Sequence, residues 1–156
     1  MSNRILVPVD GSSASNKALV AALQLARESG TEARMRLAHV VEDTSWMIAG
    51  DAYGGATSDL IGIFKERGIK ILDDALAIAQ SAGVSTDNIV FDGLGYRLVE
   101  TIVKACLDWN ADLIVIGTHG RHGLSRVFLG SGAEQVVRLA PVPVLEVRTP
   151  PESQTK

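Results

Sequence analysis

Short apolar runs alternate with longer amphipathic segments along most of this chain. The first run, Ile5–Val9, is followed by the turn residues Asp10–Ser13, and the next segment repeats apolar residues at helical spacing from Ala18 to Ala26. Continuous apolar runs are typical of strands in a parallel sheet that is covered on both faces. The pattern predicts strands at 5–9, 35–41, 89–91, 113–116 and 142–147, a first helix that starts within 10–13 and ends at 29, and helices at 59–82, 98–109 and 131–139.

The alternation of strand and helix predicts an α/β fold. We expect one open, doubly wound parallel sheet of five strands in the order 3-2-1-4-5, with helices on both faces. In that order, strands 1 and 4 flank the point where the strand order reverses, and such sheets bind ligands there, beyond the carboxyl ends of the strands. Asp10 follows strand 1 and Gly117 follows strand 4, so the sequence predicts a binding site between them.

A glycine pattern follows the fourth strand. It consists of Gly117, Gly120 and, after nine further residues, Gly130 with Ser131 at the start of the last predicted helix. Glycine lets the backbone approach a ligand closely, and a helix amino terminus with a hydroxyl beside it suits phosphate. The pattern therefore indicates a nucleotide site. Tight turns are the alternative explanation for the glycines, and capping of the first helix is the alternative for Asp10.

Composition limits the other classes of function. Apolar residues make up 46% of the 156 residues and charged residues 21%, which is typical of a single globular domain. No apolar run has the length of a membrane span and no secretory pattern follows Met1, so we expect a cytoplasmic protein without an integral membrane segment. A formal charge of -3, no basic block and an aromatic content of 4% argue against nucleic acid as a partner. Cys106, the single cysteine, excludes an intramolecular disulfide and is predicted to lie in the core.

Other site motifs match poorly. The chain has no GxxxxGK[ST] motif, Gly93-Leu94-Gly95 lacks the third glycine of a dinucleotide fingerprint, and no GxSxG elbow surrounds Ser125 or Ser131. His119 and His122 stand three residues apart without the ligand spacing of a known metal site. A metal triad that includes them stays open as a minor alternative.

Two segments fall outside the regular alternation. Residues 43–58 are rich in glycine, alanine and serine, and we interpret them as a surface excursion, with a lid or partner-binding loop as the alternative. Residues 149–156 are predicted to form a flexible tail after a nucleotide-binding domain that spans 1–148.

From Asn3 to Arg148, the sequence resembles the universal stress protein family. The family divides into members that bind ATP and members that lack the glycine motif, and this chain resembles the ATP-binding branch because it keeps every element of that motif. The resemblance implies an adenine-nucleotide hydrolase-like fold. Four segments carry it: Ile5–Ser12, Leu37–Val40, Gly117–Ser131 and Pro141–Val147.

The resemblance also implies how the base and sugar would be held. Asp10 would accept hydrogen bonds from the ribose hydroxyls. Pro8, Val9 and Val40 would line the adenine slot, with the Val40 backbone reading the edge of the base. Ile116 would pack near the sugar or the base.

The resemblance further implies that backbone N–H groups of the glycine pattern would surround and bind the phosphates. Mg²⁺ or Mn²⁺ would be bound mainly through the phosphates, with the Ser131 hydroxyl as the one candidate ligand from the protein. Arg121 and Arg126 would either neutralise phosphate charge or remain solvated. The residues that would surround the phosphates are Gly117, Gly120, Gly130, Ser131 and Gly132.

These roles imply an ATP-binding regulatory protein of the stress response, acting on a protein partner that the sequence does not identify. A slow ATP hydrolase and a structural dimer module without a nucleotide are the alternatives. No aspartate or glutamate occurs from Gly117 through Ala133, so we expect any hydrolysis to be slow. In the family the last strands of two subunits pair, so we expect a homodimer through Val142–Val147, alone or as a dimer of dimers.

Overall fold

The chain forms a five-stranded parallel sheet with helices on both faces. The computed structural model describes residues 3–41, 55–91, 98–118 and 128–149, with the backbone alone for 55–61 and 128–131. All strand pairs are parallel and their order is β3-β2-β1-β4-β5, which confirms the predicted fold class and strand order. The strands are β1 (Arg4–Pro8), β2 (Arg34–Val40), β3 (Ser85–Phe91), β4 (Leu113–Thr118) and β5 (Val144–Arg148), and the helices are α1 (Ser13–Ser29), α2 (Gly55–Ser81), α3 (Leu98–Trp109) and α4 (Phe128–Leu139).

The core consists of two apolar layers, one on each face of the sheet. Successive side chains of a strand point to opposite faces, so Val7 packs with α1 and α2 while Leu6 packs with α3 and α4. Cys106 is buried in the second layer, as the sequence predicts, and burial raises the pKa of its thiol. Because helices cover both faces in the described part of the chain, the ends of the strands are more open to a ligand than the faces of the sheet.

The edge strand β3 is longer than the sequence predicts. It begins at Ser85 rather than residue 89, and its polar first half pairs with the start of β2. Asp87 accepts two hydrogen bonds from Arg36, at 2.7 and 2.9 Å, and the guanidinium carbon of Arg36 lies 4.8 Å from the centre of the Trp109 ring. Charge pairing replaces apolar packing there, and this is why the apolar pattern missed that half of the strand.

Four other element boundaries differ by two residues or more. Strand β4 ends at Thr118 rather than residue 116, so Gly117 lies within this strand and not after it. Helix α2 begins at Gly55 rather than residue 59, and α4 begins at Phe128 rather than residue 131. Gly130 and Ser131 therefore lie within the first turn of α4 instead of ahead of it. Strand β5 begins at Val144 rather than residue 142, since Pro143 has no N–H to donate. The carbonyl of Pro143 still accepts from the Ile114 N–H of β4, at 3.0 Å. In the described part of the chain, no helix has both the length and the apolar composition of a membrane span.

Candidate functional site

The carboxyl ends of β2, β1 and β4 lie side by side at one edge of the sheet. The three strands are neighbours and run parallel, so Val40, Asp10 and Gly117 come to the same edge. This is the point where the strand order reverses. The structure thus brings together the residues that the sequence predicts at the ends of these strands.

Asp10 lies in a tight turn between β1 and α1. Its carboxylate oxygen Oδ1 accepts a hydrogen bond from the Ser12 N–H at 2.9 Å, and its own N–H donates to the Ser15 hydroxyl at 3.1 Å. Gly11 completes the turn with a φ of 81°, in the left-handed region that favours glycine. The half-buried carboxylate is therefore fixed in direction and keeps acceptor capacity for a further donor.

The cap of α1 is Ser12, not Asp10. The Ser12 hydroxyl oxygen accepts from the Ser15 N–H at 3.1 Å, and this satisfies one of the free donors in the first turn of the helix. The alternative in which Asp10 itself caps α1 is therefore wrong. Asp10 instead binds the backbone N–H of Ser12 and so orients the residue that caps the helix.

Gly117 has a packing reason of its own. A β-carbon at this position would overlap the carbonyl group of Ala14 and come within 3.0 Å of the Ser15 nitrogen. Only glycine lets the end of β4 touch the first turn of α1 at this separation. The sequence pattern identified this glycine but did not indicate the contact with α1.

The last residues of the glycine pattern lie at the start of helix α4. Gly130 and Ser131 lie in the first turn of α4, and Gly132 packs against α3, because a β-carbon there would lie 2.8 Å from Leu98 Cδ2. Gly120 lies outside the described residues. Arg121, Arg126, His119 and His122 lie outside the described residues as well, and so does the part 43–54 of the predicted excursion 43–58.

The apolar residues predicted to lie near the base and sugar are found at this same edge of the sheet. Pro8 and Val9 are buried, Ile116 is 1% exposed within the layer that faces α3 and α4, and Val40 is half-buried. The Val9 N–H donates to the Ala38 carbonyl at 2.8 Å, which extends the pairing of β1 and β2 past the last residue of β1. Among these apolar residues, Val40 has the most exposed side chain.

Two polar groups at this edge were not singled out from the sequence as site residues. His39 on β2 is 9% exposed, and its Nδ1 lies 2.8 Å from the Val9 carbonyl oxygen. The hydroxyl oxygen of Thr149 is buried without a hydrogen-bond partner among the described residues, next to the point where the Thr149 N–H donates to Thr118. A polar residue inside an apolar run was the available signal for His39. Among the residues that the structure describes, no group of three histidine, cysteine, aspartate or glutamate side chains could hold a metal ion.

Comparison with known proteins agrees with this architecture. A family model described as the universal stress protein family matches residues 1–148. The chain belongs to this family. Universal stress protein YxiE of Bacillus subtilis is 33% identical over 153 residues, covering 95% of this chain and 100% of that protein.

Solved structures of the family share the fold. A universal stress protein from Burkholderia pseudomallei superposes with a TM-score of 0.74 at 33% identity, covering 93% of this chain and 95% of that one. A family member from Arabidopsis thaliana, solved with AMP bound, gives a TM-score of 0.71 at 17% identity, covering 99% of this chain and 97% of that one. Two further neighbours, in complex with dAMP and cAMP, give TM-scores of 0.66 and 0.62.

Proposed function

We propose that this protein binds ATP at the edge where β1 and β4 end and acts as a nucleotide-dependent regulator in the stress response. The observation that carries the proposal is the position of Asp10. Its carboxylate lies at the switch point of the sheet, held by the turn hydrogen bond from Ser12, with remaining acceptor capacity. A carboxylate in this place suits the paired hydroxyls of a ribose.

The base and sugar would lie over the ends of β1 and β2. In this proposal the Asp10 carboxylate accepts from the ribose hydroxyls, and adenine occupies a slot with Pro8, Val9 and Val40 as its apolar wall. Val40, half-buried at the end of β2, would contact the base directly. Ile116 would support Val40 from the core, since both side chains belong to the layer that faces α3 and α4, whereas Val9 packs in the layer of α1 and α2.

The phosphates would lie between the end of β4 and the first turn of α4. The positive end of the α4 dipole favours an anion there, and the free N–H groups of its first turn, that of Gly130 among them, would donate to it. Because α4 begins at Phe128, the N–H groups of Ser131 and Gly132 are instead used within the helix, and Ser131 would offer its hydroxyl. Gly117 and Gly120 would complete the enclosure. Mg²⁺ or Mn²⁺ would be bound mainly through the phosphates, with Ser131 as the one candidate ligand from the protein.

A second observation fits a polar ligand at this edge. The Thr149 hydroxyl oxygen has no partner among the described residues, although it is buried. Leaving a buried hydroxyl unpaired costs about 1–3 kcal/mol, so a ligand that offered it a hydrogen bond would gain affinity. The neighbours in complex with AMP, dAMP and cAMP support an adenine nucleotide as that ligand.

The sequence of the segment proposed to hold the phosphates supports a regulatory role over fast catalysis. Fast phosphoryl transfer needs a metal held by carboxylate or hydroxyl ligands and a residue that positions water. The segment 117–133 supplies no carboxylate. We therefore propose a cytoplasmic sensor whose ATP occupancy alters contacts with a partner protein, and a homodimer that forms through β5.

Identification of the nucleotide that accompanies the purified protein tests the proposal. The protein is denatured after gel filtration, and the released small molecules are identified by mass spectrometry. We expect ATP or another adenine nucleotide, with much less in an Asp10→Asn sample prepared in parallel. A purified protein free of nucleotide that also binds none when ATP is added would refute the proposed function.

A further inference from the structure

The peptide group that joins Val9 to Asp10 is held at both of its ends. Its carbonyl oxygen lies 2.8 Å from His39 Nδ1, and its N–H donates to the Ser15 hydroxyl at 3.1 Å. A carbonyl oxygen can only accept, so Nδ1 carries the hydrogen and donates it. This plane immediately precedes the Cα of Asp10, and the two hydrogen bonds therefore set the direction in which the Asp10 side chain leaves the backbone.

The opposite side of the imidazole ring is held by α2. A β-carbon at Gly68 would lie 2.5 Å from His39 Cδ2 and 2.8 Å from Nε2, so the ring rests directly on the backbone of this helix. Glycine within a helix costs about 1 kcal/mol relative to alanine. The close contact with His39 gives a reason for glycine at this helical position. His39 is thus fixed between the end of β1 and helix α2.

We propose that His39 is a positioning residue for the nucleotide site. It orients the Val9–Asp10 peptide, and through it the Asp10 carboxylate, while Gly68 sets how far the ring reaches from α2 toward β1. The proposal rests on the proposed nucleotide function and adds that His39 itself touches no ligand. It links the position of α2 to the strength of ribose binding.

Two substitutions separate positioning from simple packing. His39→Asn places an amide nitrogen at the position of Nδ1, the same number of bonds from the backbone, so it keeps the donor but loses ring volume. His39→Leu keeps an apolar side chain of similar bulk but leaves the Val9 carbonyl without its donor. A packing role predicts that asparagine is the worse replacement, whereas a positioning role predicts that leucine is.

Calorimetric titration with ATP and Mg²⁺ gives the first test. We expect His39→Leu to bind about fivefold more weakly than the unsubstituted protein, which corresponds to about 1 kcal/mol for one lost hydrogen bond. We expect His39→Asn to bind within twofold of the unsubstituted protein even if its melting temperature falls. Equal affinity in all three proteins, or a weaker site in the asparagine variant, would overturn the proposal.

A matched pair of glycine substitutions tests the role of α2. Gly68→Ala adds a methyl group against the ring, whereas Gly62→Ala adds one to the same helix where nothing lies within 4 Å. We expect weaker ATP binding in Gly68→Ala alone. In the His39→Leu background, Gly68→Ala should cause no further loss, because the hydrogen bond is already gone. Losses that add would contradict the coupling through His39.

The Asp10 backbone amide gives a reading that is independent of nucleotide. In ¹H–¹⁵N spectra of the full chain without ligand, we expect its resonance to move in His39→Leu and Gly68→Ala, and to stay nearly in place in His39→Asn and Gly62→Ala. If the unsubstituted protein binds no ATP, the proposed function fails, and this spectrum still decides whether His39 orients the peptide. An unmoved Asp10 resonance in His39→Leu would overturn the positioning role.

Discussion

Gly117 and Ala14 meet main chain to main chain, because a β-carbon at 117 would overlap the Ala14 carbonyl group. This contact joins the end of β4 to the first turn of α1. The turn that holds Asp10 ends in that same helical turn, through Ser12 and Ser15. The packing of α1 on β4 therefore fixes the distance between the two strand ends that would enclose a ligand.

We expect Gly117→Ala to lower the free energy of unfolding by about 2 kcal/mol, the usual scale for forcing an extra methyl group into a packed interior. Neither neighbour can yield easily, since the atoms that would be struck belong to the backbone. Urea denaturation followed by circular dichroism measures the change. Gly62→Ala is the control, and it should leave stability equal or slightly higher because its β-carbon meets nothing within 4 Å. Equal stability of the two variants would show that α1 and β4 can separate.

Gly130→Val tests the phosphate end of the proposed site. The position lies in the first turn of α4, where valine is no worse for the helix than glycine, so the circular dichroism spectrum should stay native. A side chain there would block the approach of backbone to phosphate, and we expect ATP affinity to fall at least tenfold, which is about 1.4 kcal/mol. Gly62→Val makes the same change on α2 away from the site. Unchanged affinity in Gly130→Val would place the phosphates elsewhere.

The free edge of β5 is the expected dimer contact. Within the described residues β5 pairs only with β4, and Leu145 is 39% exposed, whereas Val144 packs against the layer of α3 and α4. Leu145→Asp should therefore weaken the dimer with less damage to the fold than Val144→Asp would cause. Light scattering coupled to gel filtration, at micromolar concentration, measures the mass. Leu107→Asp, at an exposed leucine of α3, is the control for added charge. A monomeric unsubstituted protein would refute the dimer.

Hydrolysis of ATP is expected to be slow. Turnover should stay well below about 1 per second, the low end for typical enzymes, even with magnesium present. Phosphate release by protein freed of contaminating ATPase measures it, with Asp10→Asn as the blank that lacks the proposed ribose contact. Turnover of tens per second that His119→Ala abolished would identify an enzyme instead of a sensor.

Most of the fold could be predicted because buried parallel strands leave continuous apolar runs, as in β1 and β4. The first half of β3 could not, since Asp87 and Arg36 replace apolar contacts with an ion pair. The start of α4 was also misplaced, because glycines at 130 and 132 are more typical of a loop than of a helix. At the site, the sequence identified Asp10 and Gly117. It did not show that His39 reaches the Val9 carbonyl or that Gly68 holds the ring, because both contacts join elements far apart in the chain.

Calorimetric titration of ATP into nucleotide-free protein, compared with Asp10→Asn, tests the central claim most directly. Asparagine keeps the side-chain oxygen that accepts from the Ser12 N–H at 2.9 Å, so the turn should persist, but it removes the negative charge proposed to hold the ribose. Asp74→Asn is the control, because this exposed carboxylate on α2 pairs only loosely with Lys70, at 3.8 Å. We expect one ATP bound per chain, at least tenfold weaker binding in Asp10→Asn, which is about 1.4 kcal/mol, and no change in Asp74→Asn. Equal affinity in the Asp10 and Asp74 variants, or no binding by the unsubstituted protein, would contradict the account.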